Sequence, residues 1–423
     1  LKFYTNVVQS GNNLLVRGYD NGKQFFHKER YKPTLYMKTN KPSEYKTLEG
    51  LSVAPKVYDS IYEARQAIKK YADIGNSKLY GFESFPYTYI FDEYREDIEY
   101  DQSLIRIANI DIETVSDEGM PDIDEADKAI TAITIKCCGM VVAFGLREFV
   151  PKDDVTYIQC DTEEEMLLKF LDTVEHFQPD CYTGWNIVGF DIPYIVNRIV
   201  RILNVESAQR LSPWRMLSEK RTFYRGIVKE YFFPVGVAFL DYLLVYKKLT
   251  FEPRESYKLD YIAFIELGER KLDYSEYQNL TGLYRENHQL FMEYNVRDVG
   301  LVDRLENKLR LLELIFSMAY EAKCNFEDML GSVKPWEIKS YGELMKQNIV
   351  FPPKLKGSYF DNEKDSLVGG HVKNPILGMH EWVVSFDLNS LYPHLIMQYG
   401  ISPETMVNKK VIQDRICQLK ESL

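Results

Sequence analysis

The chain has 423 residues, 45% apolar and 27% charged, with a formal net charge of −11. That length suits roughly three domains, each able to bury its own core, and the ordinary globular composition excludes a low-complexity or disordered chain. No apolar stretch reaches the roughly 18 residues of a membrane span, no signal-peptide pattern opens the sequence, and its six cysteines form no Cys-x-x-Cys pair, so the expectation is no membrane partner, reduced thiols and a cytoplasmic location.

Residues 1–104 alternate strand-like runs, 13–19 and 34–37, with a helix that the capping box Ser60-Ile61-Tyr62-Glu63 opens and Gly75 ends. An acidic run over Asp92, Glu93, Glu96, Asp97, Glu99 and Asp101 follows. Next comes the apolar run 107–114, broken by Asp111 and Glu113. A strand alternates faces with period two, so both carboxylates point the same way. Folding does not require two like charges there, and cations between them would relieve the repulsion. The alternative is a strand running out into solvent.

Strands are expected over 105–113, 130–136 and 141–146, then a helix opened by Thr162-x-x-Glu165. A short strand ends in Thr183-Gly184-Trp185-Asn186, Gly189 lets the backbone turn, and Asp191 precedes a helix with Pro193 in its first turn. Read alone, Asp191 is an N-cap. Arg210, Arg215, Lys220, Arg221, Arg225 and Lys229 cluster where β-prone residues flank a turn at Gly226, which predicts a hairpin; charges on a plain edge hairpin would serve solubility. Because such basic surface is local, the acidic net charge does not exclude a nucleic-acid partner. Tyr294 and Asp298 are i and i+4 on one helix face, a spacing that alone reads as a surface pair. Lys271 reads alone as a solvated loop lysine. Residues 311–358 look helical, and Gly369-Gly370 reads as a loop. The run 382–386 predicts an apolar strand that delivers Asp387 before a turn into Asn389-Ser390-Leu391-Tyr392-Pro393. The six scattered histidines include no His-Glu-x-x-His, which argues against a zinc hydrolase.

In order, Asp111-x-Glu113, Asn186-(x4)-Asp191 and Tyr294-(x3)-Asp298 resemble the three exonuclease motifs of the B-family DNA polymerases. The resemblance implies Asp111, Glu113, Asp191 and Asp298 as catalytic ligands of two divalent metal ions, Mg²⁺ or Mn²⁺, with Tyr294 placing the attacking water. Two such ions make hydroxide available near neutral pH and stabilise the charge on the transition state and leaving 3′-oxygen. Asn186, Lys271 and Met120 match positions near the 3′-terminal nucleotide. Met120 stands where the family often has an aromatic ring, which puts base stacking there in doubt. Asp387 to Pro393 resembles the first palm motif of the same family. It implies Asp387 as a metal ligand, Leu388, Asn389 and Ser390 around the phosphates of an incoming nucleotide, and Tyr392 as the ring that excludes a ribose 2′-OH. His394 stands where serine is common. Gly369 and Gly370 resemble the glycine motif between nuclease and palm.

The resemblance, strongest to the tailed-phage branch, implies an α/β fold: an RNase H-like exonuclease domain with a mixed sheet flanked by helices, plus a discontinuous N-terminal domain and a partial palm. The expected domains are 1–104 (N-terminal), 105–310 (exonuclease), 311–358 (a helical return onto the first domain) and 359–423 (the beginning of the palm). The partners it implies are primer–template DNA, single-stranded 3′ ends, a sliding clamp and a C-terminal polymerase fragment, with dNTP bound only alongside that fragment. A polymerase site of this family also needs a second palm carboxylate on an Asp-Thr-Asp hairpin, and that motif does not occur in the sequence. Proofreading without polymerisation is therefore expected, from either a split-gene product or a truncated chain. Two alternatives stay open: a non-catalytic DNA- or RNA-binding half serving assembly or regulation, and a free-standing nuclease acting on RNA.

Overall fold

The computed structural model describes residues 1–72, 79–115, 121–152, 154–224, 227–353, 370–402 and 405, distributed over two compact units, 1–356 and 357–423. The first unit opens with an antiparallel meander of β1 (Lys2–Ser10), β2 (Asn13–Asp20) and β3 (Lys23–Arg30). Asn21 and Gly22 join the last two strands at φ of 48° and 79°, the positive-φ pair that matches strand twist in a two-residue hairpin. A second small sheet holds β4 (Thr34–Lys38), β5 (Val53–Val57) and β6 (Leu79–Tyr80), with β4 central. Two helices, α1 (Ile61–Ala72) and α2 (Phe85–Glu93), accompany it. Ser60 caps α1 by accepting from the Glu63 N–H at 3.2 Å. The expected box does not close on Ser60, because the Glu63 carboxylate accepts from the Asp59 N–H, one residue earlier. The expected helix end at Gly75 lies outside the described residues.

The centre of the unit is a six-stranded mixed sheet of β7 (Ile107–Thr114), β8 (Ile130–Cys137), β9 (Met140–Gly145), β10 (Val155–Gln159), β11 (Cys181–Gly184) and a sixth strand, 238–241, in the order β10-β9-β8-β7-β11-sixth. β7, β8 and β9 are antiparallel; the outer pairings are parallel. α3 (Glu163–Phe177) joins β10 to β11; between β11 and the sixth strand lie α4 (Asp191–Ile202), α5 (Val205–Gln209) and the hairpin of β12 (Leu217–Tyr224) and β13 (Ile227–Pro234), so the sixth strand is β14 (Ala238–Asp241). In α3, Thr162 caps Glu165 N–H at 3.2 Å while Glu165 accepts from Asp161 N–H at 2.8 Å, again one residue before the expected box. The predicted hairpin forms, with Gly226 itself outside the described residues.

Period two divides β7 cleanly. Ala108, Ile110 and Ile112 face one way into the apolar core with Leu167 and Phe170 of α3 and Ile195 and Ile199 of α4. Asn109, Asp111 and Glu113 face the other way. That side is crossed by the last members of a helical series: α6 (Tyr242–Leu249), α7 (Leu259–Leu267), α8 (Leu280–Glu286) and the long α9 (His288–Leu309).

Beyond α9, α10 (Leu311–Ala322) and a 3₁₀ turn pack on the opening meander, and α11 (Lys334–Lys346) packs against them and, through Tyr341, on Phe82 and Phe91. The Asn325 side chain bonds both backbone groups of Val7, each at 2.9 Å, as a neighbouring strand would. Tyr4 and Tyr320 each donate a hydroxyl across the same seam, to the carbonyls of Cys324 and Tyr4 respectively, at 2.8 Å. The meander is tied to the central sheet by Arg17 and Asp180, an ion pair of 3.2 Å with side chains 1% and 0% exposed. Asp180 also accepts from Thr5, Tyr19 and the Arg106 N–H.

In the second unit, α12 (Leu391–Tyr399) starts after Ser390 and stops at Gly400, both in the left-handed region at φ of 54° and 57°. The strand expected over 382–386 does not form. No described segment pairs with it, and an unpaired strand leaves its N–H and C=O groups without ladder partners. Among the described residues no helix is long and apolar enough to cross a membrane.

Candidate metal centre

β7 supplies Asp111 and Glu113, and α9, crossing above it, supplies Asp298. One carboxylate oxygen of each lies within 4.8 Å of the other two. Asp111 and Glu113 are half-buried and Asp298 is buried. Oδ1 of Asp298 is sealed from solvent and has no hydrogen-bond partner. Three hard oxygen donors with an orphaned carboxylate oxygen among them fit a hard divalent cation.

The fourth carboxylate is placed by the way β11 ends. Gly184 closes that strand at φ 150°, with its backbone against the Ile110 carbonyl: a Cβ there would lie 2.4 Å from the oxygen. β11 thus stops pairing with β7 at Asn109 and leaves the Ile112 N–H free on that edge. Asp191 takes it, at 3.1 Å. Asp191 is accordingly not the cap of its helix; Phe190 holds that position, and Asp191 is the first helical residue, turned toward β7. Gly184→Ala should cost about 2–4 kcal/mol through clash and backbone strain. A melting temperature within a degree of the parent would contradict that close approach.

Electrostatics are those of crowded like charges. Burial, then Asp298, Glu113 and Asp191, push the Asp111 carboxyl well above the usual carboxylate range. Burial and Asp298 raise Glu113 to about 8. Burial raises Asp191 to about 7, against the opposing hydrogen bond from Ile112. Asp298 is also raised by burial, with Lys271 pulling it back. Lys271 is not the solvated lysine of the bland alternative. Its ammonium donates to Tyr294 Oη at 3.0 Å and to Asp298 Oδ2. Burial opposes its charge, but Asp298, Tyr294 and Asp111 outweigh burial and hold it above the usual lysine range.

A sign follows for stability. Glu113 titrates near 4.5 when unperturbed and near 8 in the folded chain. Its contribution is complete below its ordinary pKa and is lost as pH climbs through the folded value. In EDTA the melting temperature should therefore fall between about pH 4.5 and 8, and Glu113→Gln should flatten that slope. Added Mg²⁺ should raise the parent's melting temperature above pH 7, because a cation that binds only the folded chain at 100 times its Kd stabilises it by about 2.7 kcal/mol. Identical pH slopes for parent and Glu113→Gln in EDTA would contradict the crowding.

The remaining expected residues are placed as follows. Tyr294 is buried, its ring edge-on to Tyr274 at 5.3 Å. Asn186 adopts φ 67° in the loop before α4, donating its N–H to Asp241 at 3.0 Å. Met120 and Gly369 lie outside the described residues. Gly370, Asp387, Leu388, Asn389, Ser390 and Tyr392 belong to the second unit: Asp387 in an irregular segment, Leu388 to Ser390 leading into α12, and Tyr392 in its first turn.

Three residues that shape this site were not singled out from sequence. Asn109 donates to the Val299 carbonyl at 2.8 Å and docks α9 on β7; its position two residues before Asp111, hence on the same strand face, was an available signal. Asp241, 1% exposed and raised to about 6 by burial, gathers the N–H groups of Asn186, Val188 and Leu243, each at 3.0 Å. Nothing local marks it. Asn295, fully buried beside Tyr294, donates to Asp111.

Comparison with known proteins gives two family matches: the model for "DNA polymerase family B, exonuclease domain" over residues 62–262, and that for "DNA polymerase family B" over 342–422. The DNA-directed DNA polymerase of Escherichia phage RB69 is 33% identical over 96% of this chain and 47% of its own length. That of Enterobacteria phage T4 is 34% identical with the same coverage. The DNA polymerase delta catalytic subunit of Oryza sativa is 25% identical over 72% of this chain and 26% of its own length. The chain spans about half the length of the two phage relatives.

Proposed function

Because the chain belongs to the B-family DNA polymerases, we propose that its own chemistry is the removal of nucleotides from DNA 3′ ends by a metal-dependent 3′→5′ exonuclease, the proofreading activity of a replicative polymerase. The six-stranded mixed sheet with helices on both faces is the RNase H-like exonuclease fold of that family. The single observation that carries the reading is the trio Asp111, Glu113 and Asp298, oxygens within 4.8 Å, where β7 passes under α9.

With Asp191 beside them, these carboxylates would hold two divalent cations, Mg²⁺ or Mn²⁺. Bound there, such ions supply Lewis-acid activation of water and neutralisation of developing phosphate charge. The chain's own groups do the placing. Tyr294 accepts from Lys271 and so keeps its phenolic proton to donate toward a water or phosphate oxygen. Lys271 adds a fixed positive charge at the edge of the cluster. Asp241 holds the loop that carries Asn186, which we assign, with Met120, to the terminal nucleotide. Unpaired ends should be preferred, since a paired end must first be unstacked.

We assign Asp387, Leu388, Asn389, Ser390 and Tyr392 to the palm's nucleotide site, and Gly369 and Gly370 to the DNA path between the domains, which we divide at 1–104, 105–310, 311–358 and 359–423. Primer–template DNA is the proposed substrate. A polymerase fragment and a sliding clamp are the proposed partners, and the cytoplasm of the host cell is the proposed location. The test is a primer–template with a frayed 3′ end, incubated with the chain and Mg²⁺, with and without dNTPs. Primer shortening without extension is expected. A folded chain that binds this DNA and neither shortens nor extends it would overturn the proposal.

A further inference from the structure

We propose that Asn295 and Thr134 form a positioning pair that fixes the Asp111 carboxylate for cation binding. The inference rests on the exonuclease reading of the acidic cluster and goes one layer behind it. Thr134 is the cross-strand partner of Asp111 on β8, so the two side chains stand together on the face that α9 covers. Asn295 projects from α9 between them. Its Oδ1 accepts from the Thr134 hydroxyl and its Nδ2 donates to Asp111 Oδ2 at 2.7 Å. Asn295 and Thr134 are both fully buried.

The direction of the amide follows from charge. A bound cation requires Asp111 ionised, and with the amide reversed Oδ1 would then face that carboxylate, oxygen against oxygen. Thr134 donating to Oδ1 holds the productive orientation. Oδ2 of Asp111 is thereby engaged, which restricts the carboxylate's rotation and leaves its other oxygen outside this bond. Partners of this kind behind a metal ligand orient it and tune its affinity.

The experiment is a Mn²⁺ titration followed by electron paramagnetic resonance on the full chain, paired with single-turnover cleavage of a single-stranded 3′ end. The variants are Asp111→Asn, Asn295→Ala, the near-isosteric Thr134→Val and the Asn295→Ala/Thr134→Val double. Asn295→Ala is expected to weaken Mn²⁺ binding roughly tenfold to a hundredfold and to leave the KM for DNA unchanged. Thr134→Val is expected to lose part of that affinity, and the double variant to be no weaker than Asn295→Ala alone, because the hydroxyl acts only through the amide. Parental Mn²⁺ affinity in Asn295→Ala, or losses that multiply in the double variant, would overturn the pair while leaving the cluster intact. If the parent binds no Mn²⁺, or Asp111→Asn binds it as the parent does, the metal reading of the cluster itself fails and the pair fails with it.

Discussion

Asp111→Ala should lower the single-turnover rate of 3′-end cleavage by at least about a thousandfold, the equivalent of about 4 kcal/mol in the barrier. Asp111 is the member of the cluster with the most neighbours of its own charge: Asp298, Glu113 and Asp191 all raise its pKa. Its removal takes away the ligand that stands among all the others, and the cation charge needed in the transition state goes with it. Ground-state DNA binding depends on basic surface and phosphate contacts. Loss of one carboxylate removes a repulsion from that surface, so the Kd for a single-stranded oligonucleotide should stay within about threefold or tighten slightly. The two measurements separate a catalytic from a folding defect. A rate within tenfold of the parent in Mg²⁺, or equal parental rates in Mg²⁺ and EDTA, would remove Asp111 from the chemistry.

Asp180→Ala should be the most destabilising single change far from that cluster. Asp180 and Arg17 are sealed side by side, and Asp180 also receives Thr5 and Tyr19 from the meander and the Arg106 backbone. Removing the carboxylate leaves a guanidinium buried without its counter-charge, which typically costs about 3–5 kcal/mol. The melting temperature should fall by roughly 4–7 °C. Arg17→Met together with Asp180→Leu should recover only part of the loss, since the apolar pair leaves no buried charge behind but deprives Thr5, Tyr19 and the Arg106 N–H of their acceptor. The parental melting temperature in Asp180→Ala would mean that the seam between meander and sheet is held by its apolar contacts alone.

What could be read in advance was whatever repeats with a local period. Asp111 and Glu113 share a face because strands alternate, and Tyr294 and Asp298 share one because helices return every fourth residue. The caps at Ser60 and Thr162 were legible for the same reason, although the glutamates return one residue earlier than the motif suggests. The partners that make the site work are set by topology. Asn295 meets Asp111 across 184 positions, and Arg17 reaches the carbonyls of Gln178 and Pro179 across 161 and 162. No window of sequence contains such pairs. The role of Asp191 was obscured by a local rule: at the start of a helix an aspartate reads as a cap, and only the early end of β11 supplies the N–H that draws it away. The run 382–386 shows the converse, strand-like composition without the neighbour a strand requires.

The Asn325 side chain that stands in for a strand beside Val7 bears on synthesis as well as on stability. Its bonds close a loop of 318 residues. At about 5–20 residues per second, a ribosome takes roughly 15–60 s to travel that far after Val7 emerges. Throughout that interval the meander has an unmatched edge. The order of manufacture is therefore not the order of completion: the strands of the meander leave the ribosome long before the segment that finishes their edge. A stop shortly before residue 325 should therefore yield a product that aggregates through that edge rather than a smaller folded one.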